Sequence, residues 1–153
     1  MPNTDALCQE LQILWYAHFP LAKAMGLEVI SFDAHRLTTR APLVLNTNIH
    51  DTAFAGSLYA MQAMTAWGVL YLEIVRAELS ASIIHARGDI DFAKTVTTDI
   101  VAVCDFSDHL DRISELKTQG KTRMTLTTSV SASQGVASTF SGDYLARLAR
   151  TDP

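Results

Sequence analysis

A short polar run between residues 46 and 57 contains the side chains best suited to acyl chemistry. Two asparagine amides, the imidazole of His50 and the carboxylate of Asp51 precede Gly56, which opens a very apolar stretch. A helix that begins at this glycine offers backbone N–H groups without intrahelical partners, and such groups can bind a carbonyl or acyl oxygen. The sequence therefore predicts that the active site lies in this run.

The chemistry expected of this run is activation of water and stabilisation of a developing oxyanion. Asp51 could act as a base or a nucleophile, His50 could share the proton transfer, and Asn48 could orient water or polarise a carbonyl. The same residue types are common in turns, so a purely structural role stays open for each. The predicted catalytic residues are Asn48, His50, Asp51 and Gly56, and the predicted substrate-binding residues in the same run are Phe54, Ala55 and Ser57.

A long uncharged helix must position these groups. No charged residue occurs from Thr52 to Leu72, and apolar side chains occupy every side of the predicted helix, at about residues 56–77. A helix of this kind has to be enclosed by other structure. Its length also suits a membrane span, but its many small and hydroxylated residues and the strand patterns that follow favour a buried core helix.

Alternating polarity predicts strands on both sides of this helix. Two strands precede it, one of them at residues 36–43, and four follow it, at 83–92, 99–106, about 124–130 and 136–144. A first helix, at about residues 4–19 and capped by Thr4, begins the chain, and residues 107–120 are predicted as a polar connection with a short helical turn. We expect one α+β domain over residues 1–153, in which an antiparallel sheet wraps around the long helix.

Alternation within each strand also predicts which side chains share a face. In the strand at 83–92, the first face holds Ile84, Ala86, Gly88, Ile90 and Phe92, and the second holds His85, Arg87, Asp89 and Asp91. In the two strands that come next, the shared faces are Ile100, Ala102, Cys104 and Phe106, and then Met124, Leu126, Thr128 and Val130.

Composition argues against several classes of function. The 153 residues carry a net charge of −4, with 48% hydrophobic and 18% charged residues, which is typical of a globular protein without a basic surface for nucleic acid. Cys8 and Cys104 form no metal-binding spacing and favour a reduced, cytoplasmic protein. The polar N-terminus does not have the pattern of a secretory signal. We therefore expect no metal, no nucleic-acid partner and no membrane span.

Several short motifs resemble the hotdog-fold thioesterase superfamily, and most of all the thioesterase domain found at the C-terminus of YiiD-type acetyltransferase proteins. They are Phe19-Pro20-Leu21, Met25-Gly26-Leu27, Ala41-Pro42-Leu43, Asn46 with Asn48, Thr52-x-Phe54-Ala55-Gly56-Ser57-Leu58-Tyr59, and Ala66-Trp67-Gly68. The resemblance implies a homodimer, with dimers that can pair into tetramers, and a site at the seam between subunits. The implied substrate is an acyl thioester of coenzyme A or acyl carrier protein, with no other cofactor.

Two positions depart from the pattern of better-known hotdog enzymes. Asp51 follows His50, where many relatives have glycine, and Ala63 stands about seven residues beyond Gly56, where many relatives have a carboxylate. Gln62 and Thr65 fall within about a turn of that position and are therefore predicted to bind substrate. The missing carboxylate leaves open a non-catalytic acyl- or lipid-binding dimer, and the pair of His50 and Asp51 leaves open a dehydratase of hydroxyacyl thioesters. Candidate contacts to coenzyme A phosphates are Arg87, Lys94, Lys121 and Arg123, and Met61, Met64 and Trp67 belong either to the core or to an acyl pocket.

Overall fold

The computed structural model describes residues 3–150, so the first two and last three residues of the predicted domain lie outside it. Its helices are α1 (Thr4–His18), α2 (Pro20–Met25), α3 (Ala55–Arg76) and α4 (Leu110–Gln119). Its strands are β1 (Glu28–Asp33), β2 (Arg36–Ala41), β3 (Ala81–Phe92), β4 (Ile100–Asp105), β5 (Lys121–Ala132) and β6 (Gly135–Leu148). Short 3₁₀ turns at Leu43–Leu45 and Ser107–His109 complete the chain.

The strands form one antiparallel sheet in the order β1-β2-β4-β5-β6-β3. The buried face of β2 consists of Leu37, Thr39 and Ala41, and the predicted faces of β4 and β5 are likewise buried. This face curves around α3, which packs against five of the six strands. The predicted α+β architecture, with an antiparallel sheet wrapped around a long central helix, is confirmed.

Helix α1 covers part of α3 that the sheet leaves open. Leu7, Leu11 and Trp15 recur every four residues and are buried. The predicted cap Thr4 is wrong: the side chain of Asn3 caps the helix by accepting the backbone N–H of Asp5 at 3.0 Å. Thr4 already has helical geometry, so the oxygen one residue earlier is the one placed to reach the first turn.

Helix α3 spans Ala55–Arg76, beside the predicted 56–77, and buries half of its 22 residues. Gly68 lets α1 approach closely, because a Cβ there would lie 2.7 Å from the Trp15 ring. By length and composition α3 could cross a membrane, but 61% of its most apolar window is buried within the protein. Enclosure by the sheet and α1 accounts for its hydrophobicity.

A β-bulge in β3 corrects the predicted faces of that strand. The register with β6 shifts between His85 and Arg87, so one extra residue lies between them. As a result Ile83 and His85 point toward the core side while Ile84 is 55% exposed. The sequence prediction had placed Ile84 with Gly88 and Ile90, because strict alternation assumes that a strand contains no bulge.

The connection between β4 and β5 is more helical than its polar sequence indicates. The structure has a ten-residue helix, α4, rather than a short turn. Leu116 is its buried residue, and Gly120 ends it with a φ of +77° that glycine adopts without strain. The few apolar residues of α4 were too sparse a signal for a prediction of a full helix.

Candidate active site

Among the residues that the structure describes, three backbone N–H groups at the start of α3 have no partner. Phe54 occupies the cap position, and its side chain makes no capping hydrogen bond. The first amide to be paired is that of Leu58, which donates to the carbonyl of Phe54 at 3.0 Å. Within residues 3–150, the amides of Ala55, Gly56 and Ser57 therefore remain free, at the positive end of the helix dipole.

Backbone hydrogen bonds to two other segments of the chain hold the loop that leads into α3 in place. The N–H of Phe54 donates to the carbonyl of Asn46 at 2.8 Å, and that of Ala53 donates to Val96 at 2.8 Å. The buried amide of Asn46 donates to the carbonyls of Met25 and Pro42. These bonds fix the direction of the free amides.

Gly56 permits a close approach between the helix start and an aromatic ring. A Cβ at this position would lie 2.5 Å from Cε1 of Phe54. The Phe54 ring is 51% exposed, so it forms an outer wall beside the free amides. Any side chain at residue 56 would have to displace this ring.

A cleft of about 320 Å³ opens beside the start of α3. Its lining combines polar groups with apolar surface and includes one charged side chain, that of Lys94. The residues are Asn48, Thr52, Ala53, Ala55, Leu58, Phe92, Ala93, Lys94, Thr95 and Val96. Of the four basic residues considered for coenzyme A, Lys94 is the one that lines this cleft. Arg123 is paired instead with Asp143 on the strands, at 3.2 Å.

Asn48 organises the polar loop through its side chain. Its Oδ1 accepts the backbone N–H of His50 at 2.8 Å and that of Thr52 at 3.3 Å. Its Nδ2 donates to the hydroxyl of Thr52 at 2.9 Å. Asn48 therefore lines the cleft and at the same time holds the loop in shape, which leaves little of its amide free for a substrate.

His50 and Asp51 lie at the exposed tip of the same loop. Asp51 has a φ of +58°, a left-handed conformation that aspartate adopts more readily than most residues. Neither side chain lines the cleft, and neither is hydrogen-bonded within the described part of the chain. Their assignment as bases, and with it the dehydratase alternative, stays a prediction.

Gln62 and Thr65 face the sheet rather than the cleft. The side-chain amide of Gln62 donates to the hydroxyl of Ser138 at 2.9 Å, and the hydroxyls of Thr65 and Thr39 lie 2.7 Å apart. Both residues are fully buried. This position argues against the predicted substrate contacts, because the helix turns both side chains into its interface with the sheet.

Ala63, the position of the absent carboxylate, lies next to an aromatic group of residues that the sequence did not single out. The hydroxyl of Tyr144 donates to the carbonyl of Ala63 at 2.7 Å. The His85 ring stacks on Tyr144 with centroids 4.7 Å apart, and its edge meets Phe140 at 5.6 Å. Strict alternation placed His85 on the opposite face, so the bulge in β3 hid this contact.

A second polar cluster lies at the other end of α3. Oε1 of Glu73 lies 2.5 Å from Nη2 of Arg76 and 2.8 Å from Nδ1 of His35. Glu73 is almost fully buried, and the Arg76 guanidinium also covers the ring of Phe32 at 4.7 Å. This cluster joins the β1–β2 hairpin to the end of α3, remote from the cleft.

Neither cysteine is activated by its surroundings. Burial raises the pKa of the half-buried Cys8 thiol, and the carboxylate of Asp5 raises it further. Burial also raises the pKa of Cys104. Among residues 3–150, no group of three histidine, cysteine or acidic side chains is placed to hold a metal ion.

Residues 8–148 match the protein-family model described as “Putative thioesterase (yiiD_Cterm)”. A solved structure from Chlorobaculum tepidum TLS, of unknown function, is 26% identical with a TM-score of 0.88, covering 94% of this chain and 96% of that one. A solved structure from Shewanella oneidensis, described as a “putative thioesterase”, is 26% identical with a TM-score of 0.85. The match covers 94% of this chain and 99% of that one.

A Pseudomonas aeruginosa protein described as a “Probable Thioesterase” shares the fold at 20% identity, with a TM-score of 0.78 and coverage of 97% and 99%. The thioesterase neighbours have the hotdog fold, as the motifs predicted for this chain. The match over nearly the whole sequence, together with the same sheet wrapped around the same helix, shows that the chain belongs to the YiiD C-terminal thioesterase family.

Proposed function

We propose that the protein hydrolyses acyl thioesters of coenzyme A or acyl carrier protein in the cleft at the start of α3. The observation that carries this proposal is the exposed start of α3, where the amides of residues 55–57 have no partner and no side-chain cap within the described residues 3–150. An uncapped helix start usually costs about 1 kcal/mol of stability. Free amides beside a cleft, of which that of Ala55 belongs to a lining residue, offset that cost when they bind a developing negative charge.

The proposed reaction replaces the C–S bond of the thioester with a C–O bond. Water attacks the acyl carbon, and the carbonyl oxygen becomes an oxyanion that accepts hydrogen bonds from the amide of Gly56 and its neighbours. A base takes the proton of the attacking water. When the tetrahedral intermediate collapses, the thiolate leaves and is protonated, so the products are a carboxylic acid and a free thiol. From the sequence, Asp51 and His50 are the candidates for the base.

The carrier of the acyl group is expected to enter past Lys94. The ammonium group of this residue donates to the carbonyl of Gln134 at the β5–β6 turn. Lys94 and Thr95 are shared between the cleft and the neighbouring cavity that Gln134 lines. A phosphate of coenzyme A or of a phosphopantetheine arm could replace the carbonyl as its partner. Coenzyme A takes part only as a portion of the substrate, and the proposal includes no metal.

We also propose that two copies pair through β3. This strand has 12 residues and, within the described sheet, is bonded on one side only, to β6. Its exposed side chains include Ile84 and Phe92. A long edge strand with unpaired backbone groups and apolar side chains is suited to antiparallel pairing with a second copy. In a reducing buffer at neutral pH, sedimentation equilibrium is expected to give the mass of a dimer or a tetramer. The mass of a monomer would contradict this proposal.

The thioesterase proposal is tested by assaying thiol release from a panel of acyl-coenzyme A substrates of increasing chain length. We expect at least one to be turned over well above the uncatalysed rate. Asp51→Ala, His50→Ala and Asn48→Ala are assayed beside the wild-type protein. Loss of turnover in the Asp51 or His50 variant supports that residue as the base, whereas full activity in both removes the loop tip from the mechanism. No turnover of any thioester would overturn the proposed function.

A second function is favoured by Ala63, whose methyl group can neither accept a proton nor attack. A protein without a base would bind acyl chains and release no product. Thermal-shift titration with a long-chain acyl-coenzyme A distinguishes the two functions when it is combined with the thiol assay. Saturable binding without thiol release would identify a binding protein, and measurable turnover excludes it.

A further inference from the structure

The bulge in β3 turns a histidine toward the helix face where the catalytic carboxylate is absent. His85 precedes the register shift, and its ring packs between the core aromatics Phe140 and Tyr144 while remaining partly exposed. Bulges often redirect a side chain beside a functional site. Here the redirected residue is an imidazole, a side chain able to accept and return a proton.

The bulge also determines which ring nitrogen of His85 is free. Nε2 lies 2.8 Å from the carbonyl oxygen of Arg87, within the same bulge. Because a carbonyl only accepts hydrogen bonds, this contact assigns the proton of the neutral ring to Nε2. Nδ1 then carries the lone pair and has no hydrogen-bond partner among residues 3–150. An oriented ring with a free basic nitrogen is the usual arrangement of a general base.

The neighbours of His85 connect it to the first turns of α3. The Phe140 ring that meets the edge of His85 also meets the ring of Tyr59, at 5.3 Å. The Tyr59 hydroxyl lies over Gly88, where a Cβ would be only 2.1 Å from it. Tyr59 is three residues after Gly56, less than one helical turn. Tyr59 and Ala63 lie on one face of α3, since they are four residues apart.

We propose that His85 is the base that activates water for thioester hydrolysis, acting across the seam between two copies of the chain. This proposal rests on the thioesterase function and the β3 pairing proposed above. The Nδ1 lone pair of His85 takes a proton from water as the water oxygen bonds to the acyl carbon. The same proton then passes to the departing thiolate, so the ring returns to its starting state.

The register of a symmetric dimer explains why the second copy is needed. In one chain, His85 lies beside the part of α3 around Ala63, which is seven residues, or about 10 Å of helix rise, from Gly56. Antiparallel pairing of two β3 strands about their midpoint places residue 85 of one copy opposite residue 88 of the other. His85 of the second copy then lies beside Gly88, under the hydroxyl of Tyr59, which is three residues after Gly56 on α3.

The main test compares His85→Gln with His109→Gln in the thiol-release assay. Glutamine can still donate to the Arg87 carbonyl but cannot act as a base. We expect His85→Gln to lower kcat about 100-fold or more with KM changed less than threefold. His109 lies against Phe106, on the 3₁₀ turn before α4, and serves as the matched control with unchanged kinetics. A His85→Gln variant within twofold of the wild-type kcat, or one changed only in KM, would overturn the proposal.

Chemical rescue separates a catalytic role from a structural one. His85→Ala leaves space beside Tyr144 that imidazole in solution can occupy, so we expect added imidazole to raise its kcat at least fivefold. The same imidazole should not change the His109→Gln variant. A His85→Ala protein that remains inactive with imidazole would show that the ring serves only packing, and the proposal would fail.

A heterodimer tests the action across the seam. A subunit carrying His85→Gln is co-expressed with a differently tagged subunit carrying Gly56→Val, and the mixed dimer is isolated by both tags. If His85 serves the partner’s amides, one of the two sites is intact and about half of the wild-type activity returns. If activity stays at the level of the two parent variants, the proposal is wrong. A wild-type protein without any thioester turnover would overturn this proposal and the thioesterase function together.

Discussion

The two ends of the central helix are built in opposite ways. At its start, three amides have no partner and no side chain caps the helix in the part of the chain that the structure describes, and Phe54 is half exposed. At its end, the buried carboxylate of Glu73 is bonded to both Arg76 and His35. The comparison indicates that α3 is anchored at its carboxyl end, which leaves its amino end free to present unsatisfied donors to a ligand.

The helix dipole explains why the carboxyl end needs its cluster. A carboxylate near the C-terminus of a helix faces the negative end of the dipole, and burial adds a desolvation penalty. Arg76 supplies the compensating charge, and His35 contributes a second hydrogen bond from the β1–β2 hairpin. At the amino end the dipole instead favours an anion, such as the oxyanion of the proposed reaction.

The largest expected effect is on stability, at the carboxyl end. Glu73→Gln removes the charge that compensates Arg76 and is expected to lower the free energy of unfolding by about 2–3 kcal/mol. Glu10→Gln is the control, because Glu10 is exposed and accepts one hydrogen bond, from Tyr71. Its change should stay within about 0.5 kcal/mol. Urea unfolding measures both variants, and equal effects would contradict the proposed difference between the anchored end and the surface.

The second prediction concerns a glycine in the middle of the helix. Gly68→Ala places a methyl group 2.7 Å from the Trp15 ring and 3.0 Å from Leu37, both fully buried. We expect a net loss of about 1–2 kcal/mol, because overpacking outweighs the better helix propensity of alanine. Thermal or urea unfolding measures the loss. Unchanged stability would show that α1 can move away from α3 without cost.

The same substitution at the amino end should change activity rather than stability. In Gly56→Ala the new methyl group pushes the Phe54 ring across the free amides, and we expect a roughly tenfold lower kcat/KM, about 1.4 kcal/mol in transition-state binding. The unfolding free energy should stay within about 0.5 kcal/mol, because the ring can move into solvent. Kinetics and urea unfolding are measured on one preparation.

The double variant Gly56→Ala, Phe54→Ala provides the internal control for that prediction. Removing the ring removes the collision, so the double variant should be more active than Gly56→Ala alone. If the loss of activity in the double variant equals the sum of the losses in the two single variants, Gly56→Ala and Phe54→Ala, then Gly56 acts through its backbone and not through the position of Phe54.

The smallest expected effect is the pH dependence contributed by two acids at the ends of β4. Asp99 lies just before β4. The backbone N–H of Leu43 has the largest effect in lowering its pKa, and the side chain of Arg40 lowers it further. Asp105 ends β4. The hydroxyl and N–H of Ser107 have the largest effects in lowering its pKa, and the side chain of Arg36 lowers it further. Each folded pKa lies below the unfolded value of about 3.9, so each acid stabilises the fold above that pH.

This stabilisation is lost as the pH falls through the lowered folded pKa values. Asp99→Asn and Asp105→Asn should therefore be slightly less stable than the wild type at pH 7 and closer to it at an acid pH below the lowered folded pKa values. Urea midpoints measured at several pH values test this expectation. A variant whose deficit is the same at both pH values would show that its acid contributes through packing and not through charge.

Much of the architecture could be predicted from periodicity because burial and pattern agree there. The uncharged stretch that becomes α3 indicated a central helix, since no face of it could remain in water. The alternating residues of β2, β4 and β5 point to the core as expected. The residues around Gly56 also identified the open helix start, because glycine after a polar loop and before an apolar run is a local signal.

Side-chain partners could not be predicted, because they come from distant parts of the chain. Glu73 and His35 are 38 residues apart, and only the folded hairpin brings them together. Gln62 and Thr65 resembled site residues in sequence, but the rotation of α3 turned them into the sheet.

The sequence by itself determined the central helix, the wrapped sheet and the polar loop before Gly56, because each depends on local pattern and burial. Tertiary structure decided the rest of the candidate site. It placed His50 and Asp51 at an exposed tip, and through one extra residue in β3 it turned His85 toward the core. A bulge leaves no period in the sequence, since it is a mismatch between two paired strands and appears only once both are in place.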